Sequence, residues 1–318
     1  MALDEFDFCY HDEMQYFCLK NCFYQLMDYY SIENALLNIK LGLKLKITCT
    51  EDNFYTYKHE NLLPLYDMDA VEYGCGKEFD RIFHQNLDNL PVIVLVDVYY
   101  LPYRKEHLQY HASHAVILTG YSANEEIVKI IDWYAPYFYK GGLSLQEYKL
   151  ARTSPNLKDV NPFSGFSINN YWYKLSDKQG KDLTIETVHR NLGDFICSEC
   201  NDERKIYTGA YAVDEIVNEI EKGLGNDAQA FPKLCKHIHD ELFLFYRSFV
   251  LAEKYFELAN SCFSHEFSFK ICEYIPELSQ LLSKSNFYLL KGSMANSEKM
   301  LIKAQNVLNT IKSIYNNL

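Results

Sequence analysis

The sequence has no apolar run long enough to cross a membrane, and its first residues have neither the basic nor the apolar part of a secretory signal peptide. We therefore expect a cytoplasmic protein with no membrane partner. Basic residues are also fewer than acidic ones, since the chain has 31 Lys and Arg but 43 Asp and Glu, which gives a formal net charge of −12. Nucleic acids are bound through basic surfaces, so this charge argues against a nucleic-acid partner. A negative field instead favours cationic ligands such as amines.

Metal-binding motifs are scarce as well. The ten cysteines are scattered, and in a reducing compartment most of them serve as small core residues. Cys197 and Cys200 form a lone Cys-x-x-Cys pair, which favours two buried helix cysteines over a zinc or redox site. His107, His111 and His114 are close in sequence, but no cysteine pair lies near them. The sequence therefore predicts that no metal is bound.

The patterns that are present have the order of an α+β protein. Apolar spacing in the first half predicts helices over 18–30, roughly 32–43 and 69–90 and strands over 46–57, 92–100, 114–120 and 126–133. A Ser-, Pro-, Asn- and Gly-rich stretch follows, and it is either a linker or a long loop, over 153–170. The second half predicts only helices, with Pro276 as an interruption, over 183–197, 212–223, 232–260, 263–283 and 294–316. We thus expect an α+β region over 1–175 and an all-helical region over 176–318.

Three residues of the α+β region have the types that thiol catalysis requires. Cys18 lies where the first long helix is predicted to begin, and a helix N-terminus lowers the pKa of a thiol. His114 opens a buried strand, and Asp132 ends the next strand. If these strands form a hairpin, the carboxylate meets the imidazole and orients it as the base for the thiol. The order cysteine, histidine, aspartate is that of a papain-type triad.

Other assignments compete with this one. Cys22 is a rival nucleophile on the same helix face, although a position inside the helix lacks the advantage of the dipole. His111 is a rival base, three residues before His114. Cys18 is equally compatible with an ordinary core cysteine when it is considered alone.

The same residues carry a resemblance to known enzymes. Cys18 with Tyr29-Tyr30, followed by the segment 114–121 and Asp132, resembles the C39-type branch of papain-fold cysteine enzymes. The block Val96-Asp-Val-Tyr-Tyr-Leu-Pro-Tyr103 is similar to the N-terminal domain of the butirosin-type acyltransferases, and it is the most specific part. The resemblance covers roughly residues 10–150. The amide synthase of closthioamide-type antibiotics is a further similar enzyme.

This resemblance implies a papain-like, C39-like catalytic domain over 1–175 and an activity in antibiotic or other secondary-metabolite biosynthesis. Such enzymes take an acyl or peptidyl chain from the phosphopantetheine arm of a carrier protein and hold it as a thioester on the cysteine. They then pass it to a free amine, such as a diamine or an amino sugar, and form an amide. The implied partners are a carrier protein and a small amine, and no cofactor is bound to the enzyme itself.

The resemblance also implies roles for other residues. The backbone N–H of Cys18 would be one donor to the oxyanion. Gln15 is the nearest side-chain amide for a second donor, although it lies closer to the cysteine than is usual in this fold. The remaining candidates either line the acyl or amine pocket or pack in the sheet, and they are Asp97, Tyr99, Tyr103 and His111.

Two other classes of function stay open. A cysteine peptidase of the same fold would use the same three residues. A non-catalytic binding protein would rely on the helical region over 176–318. That region is a candidate cap, homodimer surface or dock for the carrier protein, and Arg104-Lys105 is a candidate basic patch for docking.

Overall fold

A computed structural model of the protein describes residues 18–38, 71–134, 137–159, 167–176, 210–224, 252–263 and 269–316, with shorter stretches between them. The chain divides into two compact units. Unit 1 comprises residues 1–39 and 66–181, and unit 2 comprises residues 40–65 and 182–318. The division predicted from the sequence lay after residue 175, and it did not separate the stretch 40–65 from the first region.

The described elements follow the α+β order predicted from the sequence. In unit 1 they include helices on both sides of a run of strands, and in unit 2 they are mostly helices. In chain order they are α1 (Cys18–Tyr29), β1 (Ile47–Thr48), β2 (Val71–Gly74), α2 (Phe79–Leu87), β3 (Val92–Asp97), β4 (Ser113–Ser122), β5 (Ile127–Tyr134), β6 (Tyr137–Ser144), α3 (Leu145–Thr153), β7 (Trp172–Leu175), β8 (Cys200–Asn201), β9 (Ile206–Tyr207), α4 (Ala210–Leu224), α5 (Phe269–Leu290) and α6 (Met294–Tyr315).

Unit 1 is built on an antiparallel sheet with the strand order β2-β7-β3-β4-β5-β6. Val96 of β3 pairs with His114 of β4, and Ile117 of β4 pairs with Ile131 of β5. Because β4 and β5 run in opposite directions, the start of β4 and the end of β5 lie at the same end of the sheet. This register brings His114 and Asp132 together.

Both faces of the sheet are covered, which explains the continuous apolar run of β3. On one face, Phe79 and Tyr148 from α2 and α3 belong to the same buried cluster as Val94 and Val116. Helix α1 packs against β3, β4 and β5. Its Phe23 ring lies 6.2 Å, centroid to centroid, from the ring of Tyr173 in β7.

The polar stretch after α3 is a long loop of unit 1 rather than a linker. Buried Arg152 donates to the carbonyls of Leu95 and Tyr171, both at 2.6 Å, and to that of Asn170 at 2.7 Å. The backbone N–H of Ser113 donates to the carbonyl of Phe163 at 2.8 Å. Hydrogen bonds from Arg152 of α3 and from Ser113 of β4 therefore hold this loop against the sheet.

The helix predicted over 69–90 is wrong in its first part. Residues Val71–Gly74 form edge strand β2, which pairs with β7, and α2 begins only at Phe79. A Cβ at Gly74 would lie 2.7 Å from the indole nitrogen of Trp172, so the approach of these two strands requires glycine there. A short edge strand has no fully buried face, and its sequence therefore lacks the alternation that predicts a strand.

Unit 2 is helical over most of its described part, as predicted. Helices α5 and α6 pack against each other, α4 packs against α6, and residues 252–262 are also helical. The prediction of helices alone is wrong at β8 and β9, which pair with each other and, through β9, with β1 in a small antiparallel sheet of the order β1-β9-β8. Helix α5 continues through Pro276, so the predicted interruption is wrong, and the buried Ile275 and Leu278 beside it explain how packing overrides the local preference.

Some predictions fall outside the described residues. These are residues 39–43 of the helix predicted over 32–43, most of the strand over 46–57, most of the helix over 183–197, and most of residues 232–249 in the helix predicted over 232–260. In the described part of the first of these, Ala35–Asn38 form a 3-10 turn instead of an α-helix. Among the helices that are described, none combines the length and the apolar character that a membrane crossing requires.

Candidate active site

Cys18 is the first described residue of α1, and its side chain meets that of His114 at the start of β4. The thiol and the imidazole are within hydrogen-bonding contact, and Cys18 also lies in contact with the backbone of Ala115. Cys18 is partly buried, whereas His114 has only 5% of its surface exposed. The thiol and a potential base are therefore in contact at a site that is largely shielded from solvent.

His114 is held from its other side by Asp132. Its Nε2 lies 2.7 Å from Oδ1 of Asp132, and both side chains are buried. Since Nε2 is engaged with the carboxylate, Nδ1 is the ring nitrogen left for the thiol of Cys18. The three side chains thus form one continuous row, in the order thiol, imidazole, carboxylate.

The second oxygen of Asp132 is also engaged. The hydroxyl of Tyr103 donates to Oδ2 at 2.9 Å, and the guanidinium of Arg104 approaches the same oxygen at 3.5 Å. Arg104 also donates to Glu106 at 3.2 Å. Tyr103 and Arg104 come from the segment between β3 and β4, which folds back over the end of β5.

The electrostatics of the row favour an ion pair. Burial by itself raises the pKa of the Cys18 thiol, but the positive charge and the hydrogen bond of His114 outweigh it, so the pKa is lowered overall. Burial by itself lowers the pKa of His114, but Asp132 and Cys18 raise it to about 9. Burial likewise opposes the charge of Asp132, and His114 and Arg104 nevertheless lower its pKa. The row therefore shifts the balance towards a thiolate beside an imidazolium, relative to an isolated cysteine and histidine.

Cys22, the rival nucleophile, lies in a different environment one turn further along α1. Its Sγ donates to the carbonyl of Ala115 at 3.5 Å. Burial first, and then the charges of Cys18 and Asp132, raise its pKa well above the ordinary value for a thiol. Its geometry and electrostatics keep the Cys22 sulfur protonated, which is unfavourable for a nucleophile.

His111, the rival base, is engaged elsewhere. Its Nδ1 lies 2.7 Å from Oδ2 of Asp97, and its ring stacks on that of Tyr99 with the centroids 4.3 Å apart. Asp97 is fully buried, and it also accepts from Ser154 Oγ at 2.6 Å and from the backbone N–H groups of Tyr99 and Ala112 at 3.1 and 3.2 Å. Asp97, Tyr99 and His111 therefore form a cluster of their own that joins β3 to the loop after α3.

Other predicted candidates give less information. Gln15, the proposed second oxyanion donor, and Cys197 lie outside the described residues. Within the described part of the chain, no cluster of three or more His, Cys, Asp or Glu side chains is arranged to hold a metal ion. Arg104, predicted as part of a basic docking patch, is bound to Glu106 and Asp132 with 13% of its side chain exposed.

A cavity of about 370 Å³ opens beside Asp132, on the side where Tyr103 and Arg104 lie. Aromatic rings and charged groups of both signs form its walls. They belong to Tyr103, Arg104, Lys105, Glu106, Asp132, Phe138 and Tyr139. Of the predicted pocket residues Tyr103 lines this cavity, whereas the Asp97 cluster does not.

The sequence reasoning missed two residues around Asp132. Arg104 was named only as part of a docking patch, although its position directly after the most specific motif was a usable signal for a place in the site. Tyr139, whose ring stacks on that of Tyr103, gave no such signal, because β6 was not predicted as a strand. It comes into place through the pairing of β5 with β6, which sets Tyr139 opposite Asp132.

The comparisons with known proteins concern this part of unit 1. Residues 71–133 match the model of the family described as butirosin biosynthesis protein H, N-terminal. The matched stretch contains His114, Asp132 and the motif from Val96 to Tyr103, whereas Cys18 lies before it. No curated protein matches the chain. The predicted resemblance to butirosin-type proteins is thus confirmed over 71–133, which is the part of the chain that carries the base and the carboxylate of the candidate site.

Proposed function

We propose that the protein is a cysteine-dependent acyltransferase in antibiotic or other secondary-metabolite biosynthesis, with Cys18 as nucleophile, His114 as base and Asp132 as the group that orients the base. The observation that carries the proposal is the row of Cys18, His114 and Asp132, in which the pKa of the thiol is lowered by the imidazole. The similarity of residues 71–133 to a family of butirosin biosynthesis supports the biosynthetic setting. The papain-like arrangement of helix and sheet is part of the same proposal.

The first half of the reaction is thioester exchange. The Cys18 thiolate attacks the carbonyl carbon of an acyl thioester, and the carbonyl oxygen takes the negative charge. When the C–S bond to the donor breaks, the departing thiolate takes the proton that His114 carries. One thioester is exchanged for another, and the acyl group is then on Cys18 with a neutral imidazole beside it.

The second half is aminolysis. An amine nitrogen attacks the carbonyl carbon of the acyl-enzyme, and His114 accepts a proton from that nitrogen. The C–S bond to Cys18 breaks, the amide leaves, and the thiolate–imidazolium pair is restored. Asp132 stabilises the imidazolium in both halves and keeps its protons in place. Water must be excluded during this step, because it would turn the reaction into thioester hydrolysis.

The donor and the acceptor belong to the same proposal. The donor is an acyl or peptidyl chain on the phosphopantetheine arm of a carrier protein, and the acceptor is a small diamine or amino sugar. The net charge of −12 suits a cationic acceptor. The backbone N–H of Cys18 is one oxyanion donor, and Gln15 is proposed as the second.

The test is intact-protein mass spectrometry after the protein is mixed with an acyl-carrier protein or a short acyl thioester in the absence of amine. An acyl adduct that maps to Cys18, is absent from Cys18→Ala and persists in Cys22→Ala is the expected result. Adding a diamine should then release the adduct as an amide. Cleavage of peptides without any adduct from thioesters would favour the peptidase instead, and an untouched donor would overturn the acyltransferase proposal.

A further inference from the structure

Both oxygens of the Asp132 carboxylate make hydrogen bonds, one with the imidazole of His114 and the other with a tyrosine hydroxyl. Oδ1 faces His114 at 2.7 Å, while Oδ2 accepts the hydroxyl of Tyr103 at 2.9 Å. We infer that Tyr103 is a positioning residue that fixes the rotation of the Asp132 carboxylate and, through it, the imidazole beside Cys18. This inference rests on the proposed function, and it gives Tyr103 a role beyond that of a pocket wall.

The hydroxyl of Tyr103 is suited to that task because it stays protonated. Burial first, and then the neighbouring charge of Asp132, raise the pKa of Tyr103 well above that of a free tyrosine. At neutral pH the hydroxyl therefore keeps its hydrogen, which it donates to Oδ2. The contact of Arg104 with the same oxygen is longer, at 3.5 Å, and its guanidinium is shared with Glu106. The directional bond to Oδ2 is thus the one from Tyr103.

The ring of Tyr103 is itself held in place by Tyr139. The two rings are parallel within 1°, with their centroids 3.7 Å apart. Tyr139 lies opposite Asp132 in the β5–β6 ladder, so the strand pairing that places the carboxylate also places the stacking partner of its donor. The donor and the acceptor are therefore aligned by one sheet.

The ring of Tyr139 depends in turn on glycine at position 141. The hydroxyl of Tyr139 donates to the carbonyl of Gly142 at 2.9 Å, so the ring lies along β6 in the direction of Gly142. A Cβ at Gly141 would lie 2.5 Å from the ring carbon that bears the hydroxyl, so any side chain there must displace the ring. Gly141, Tyr139 and Tyr103 thus form one support for the side of Asp132 that faces away from His114.

If the inference holds, removal of the hydroxyl leaves Oδ2 without its directional donor. The carboxylate then rotates more freely, the imidazole is held less firmly, and the hydrogen bond from His114 to the thiol weakens. The thiolate of Cys18 loses stabilisation, so its pKa moves up towards the ordinary value for a thiol. The effect should be large where His114 is charged, and it should vanish at high pH, where any thiol is ionised.

The experiment measures the rate at which iodoacetamide alkylates Cys18, resolved from the other cysteines by peptide mass spectrometry, from about pH 5 to about pH 10. Tyr103→Phe is expected to slow Cys18 alkylation roughly tenfold at pH 7 and to leave the rate at the alkaline end unchanged. Tyr139→Ala should shift the profile in the same direction. Tyr73→Phe is the matched control, because Tyr73 is an exposed tyrosine of the edge strand β2, and it should reproduce the parent profile.

The outcomes separate the two claims. A lowered Cys18 pKa in the parent that is unchanged in both Tyr103→Phe and Tyr139→Ala overturns the positioning role and leaves the proposed function intact. A Cys18 that reacts in the parent no faster than the exposed Cys262 contradicts the activated thiol, and with it the proposed function. Gly141→Ala serves as a further variant if the loss of a ring prevents folding, because it displaces Tyr139 without removing either ring.

Discussion

Unit 1 contains two His–Asp pairs whose histidines are three residues apart in the chain, and the contact distance between imidazole and carboxylate is the same in both pairs. His114 and Asp132 meet at 2.7 Å, and so do His111 and Asp97. Asp97 receives two backbone N–H groups and a serine hydroxyl, so its carboxylate is built into the fold. Asp132 instead receives side chains, and its histidine continues to a thiol. A short His–Asp distance is therefore shared by both pairs, and the thiol of Cys18 beside His114 is what makes His114, rather than His111, the candidate base.

The sharpest way to test this comparison is to remove each imidazole in turn. His114→Gln is expected to lower the rate of Cys18 alkylation at pH 7 by about 10²-fold, because the thiolate loses its charged partner and the thiol becomes largely protonated. His111→Gln should leave that rate within about threefold, since its ring is bound to Asp97. Site-resolved alkylation measures both. Equal losses in the two variants would show that the pairs work as one unit.

Removal of each carboxylate should separate reactivity from stability. Asp97→Ala leaves two backbone N–H groups and a serine hydroxyl without their acceptor, so we expect it to lower the free energy of unfolding by about 3 kcal/mol or more. Asp132→Asn keeps the shape of the side chain and is expected to slow Cys18 alkylation by roughly 10–100-fold, with a smaller loss of stability. Urea unfolding and alkylation of the same samples measure the two effects. The comparison fails if Asp97→Ala is as stable as the parent.

The pH dependence of stability tests the His114–Asp132 pair by itself. The folded pKa of His114 is about 9, above its ordinary value of 6.5, so its contribution is fully present below pH 6.5 and is lost as pH rises towards 9. The folded pKa of Asp132 is lowered from 3.8, so its contribution is present above that pH and is lost in acid. The parent should therefore exceed His114→Gln in stability by up to about 3 kcal/mol near pH 6, with the gap closing near pH 9. Urea titrations of both proteins at several pH values measure this gap, and a gap that grows with pH would contradict the assignment.

The smallest expected effect concerns Ser154, which serves only the structural pair. Its hydroxyl donates to Asp97 at 2.6 Å and accepts from the backbone N–H of Asn156 at 2.9 Å. Ser154→Ala should lower the free energy of unfolding by about 1–2 kcal/mol and leave Cys18 alkylation unchanged. Thermal or urea unfolding detects the first effect. A marked change in alkylation would mean that the Asp97 cluster reaches the thiol after all.

The parts of the fold that the sequence predicted best are those in which local patterns and burial agree. The strands around Val92–Asp97, His114 and Asp132 are apolar and β-branched, and all three form. The first ends earlier than the predicted residue 100, because Val98–Tyr100 form a 3-10 turn. The edge strand β2 was mistaken for part of a helix because its burial follows no regular period. Strands β6 and β7 were not predicted either. The glycines and tyrosines of β6 form no local pattern typical of a strand, and their positions are explained only by the pairing of β6 with β5.

For the candidate site, the sequence by itself determined which reactive groups are present and in what order. It placed a cysteine at the head of a helix, a histidine at the start of a strand and an aspartate at the end of the next, and a hairpin between the strands brings the last two together. The sequence also contains the complete motif from Val96 to Tyr103 in one continuous segment. These are local properties, because they depend on residue type and on spacing along one segment.

Only the tertiary structure decided which histidine meets the thiol and what holds Asp132. The sequence pattern does not distinguish His111 from His114. In the folded sheet, the pairing of β4 with β3 and β5 sets His114 beside Cys18, whereas His111 contacts Asp97. The support behind Asp132 joins Tyr103 to Tyr139, which are 36 positions apart in the chain. The physical reason is that pairing register and ring stacking are set by contacts between distant segments, and no local pattern records them.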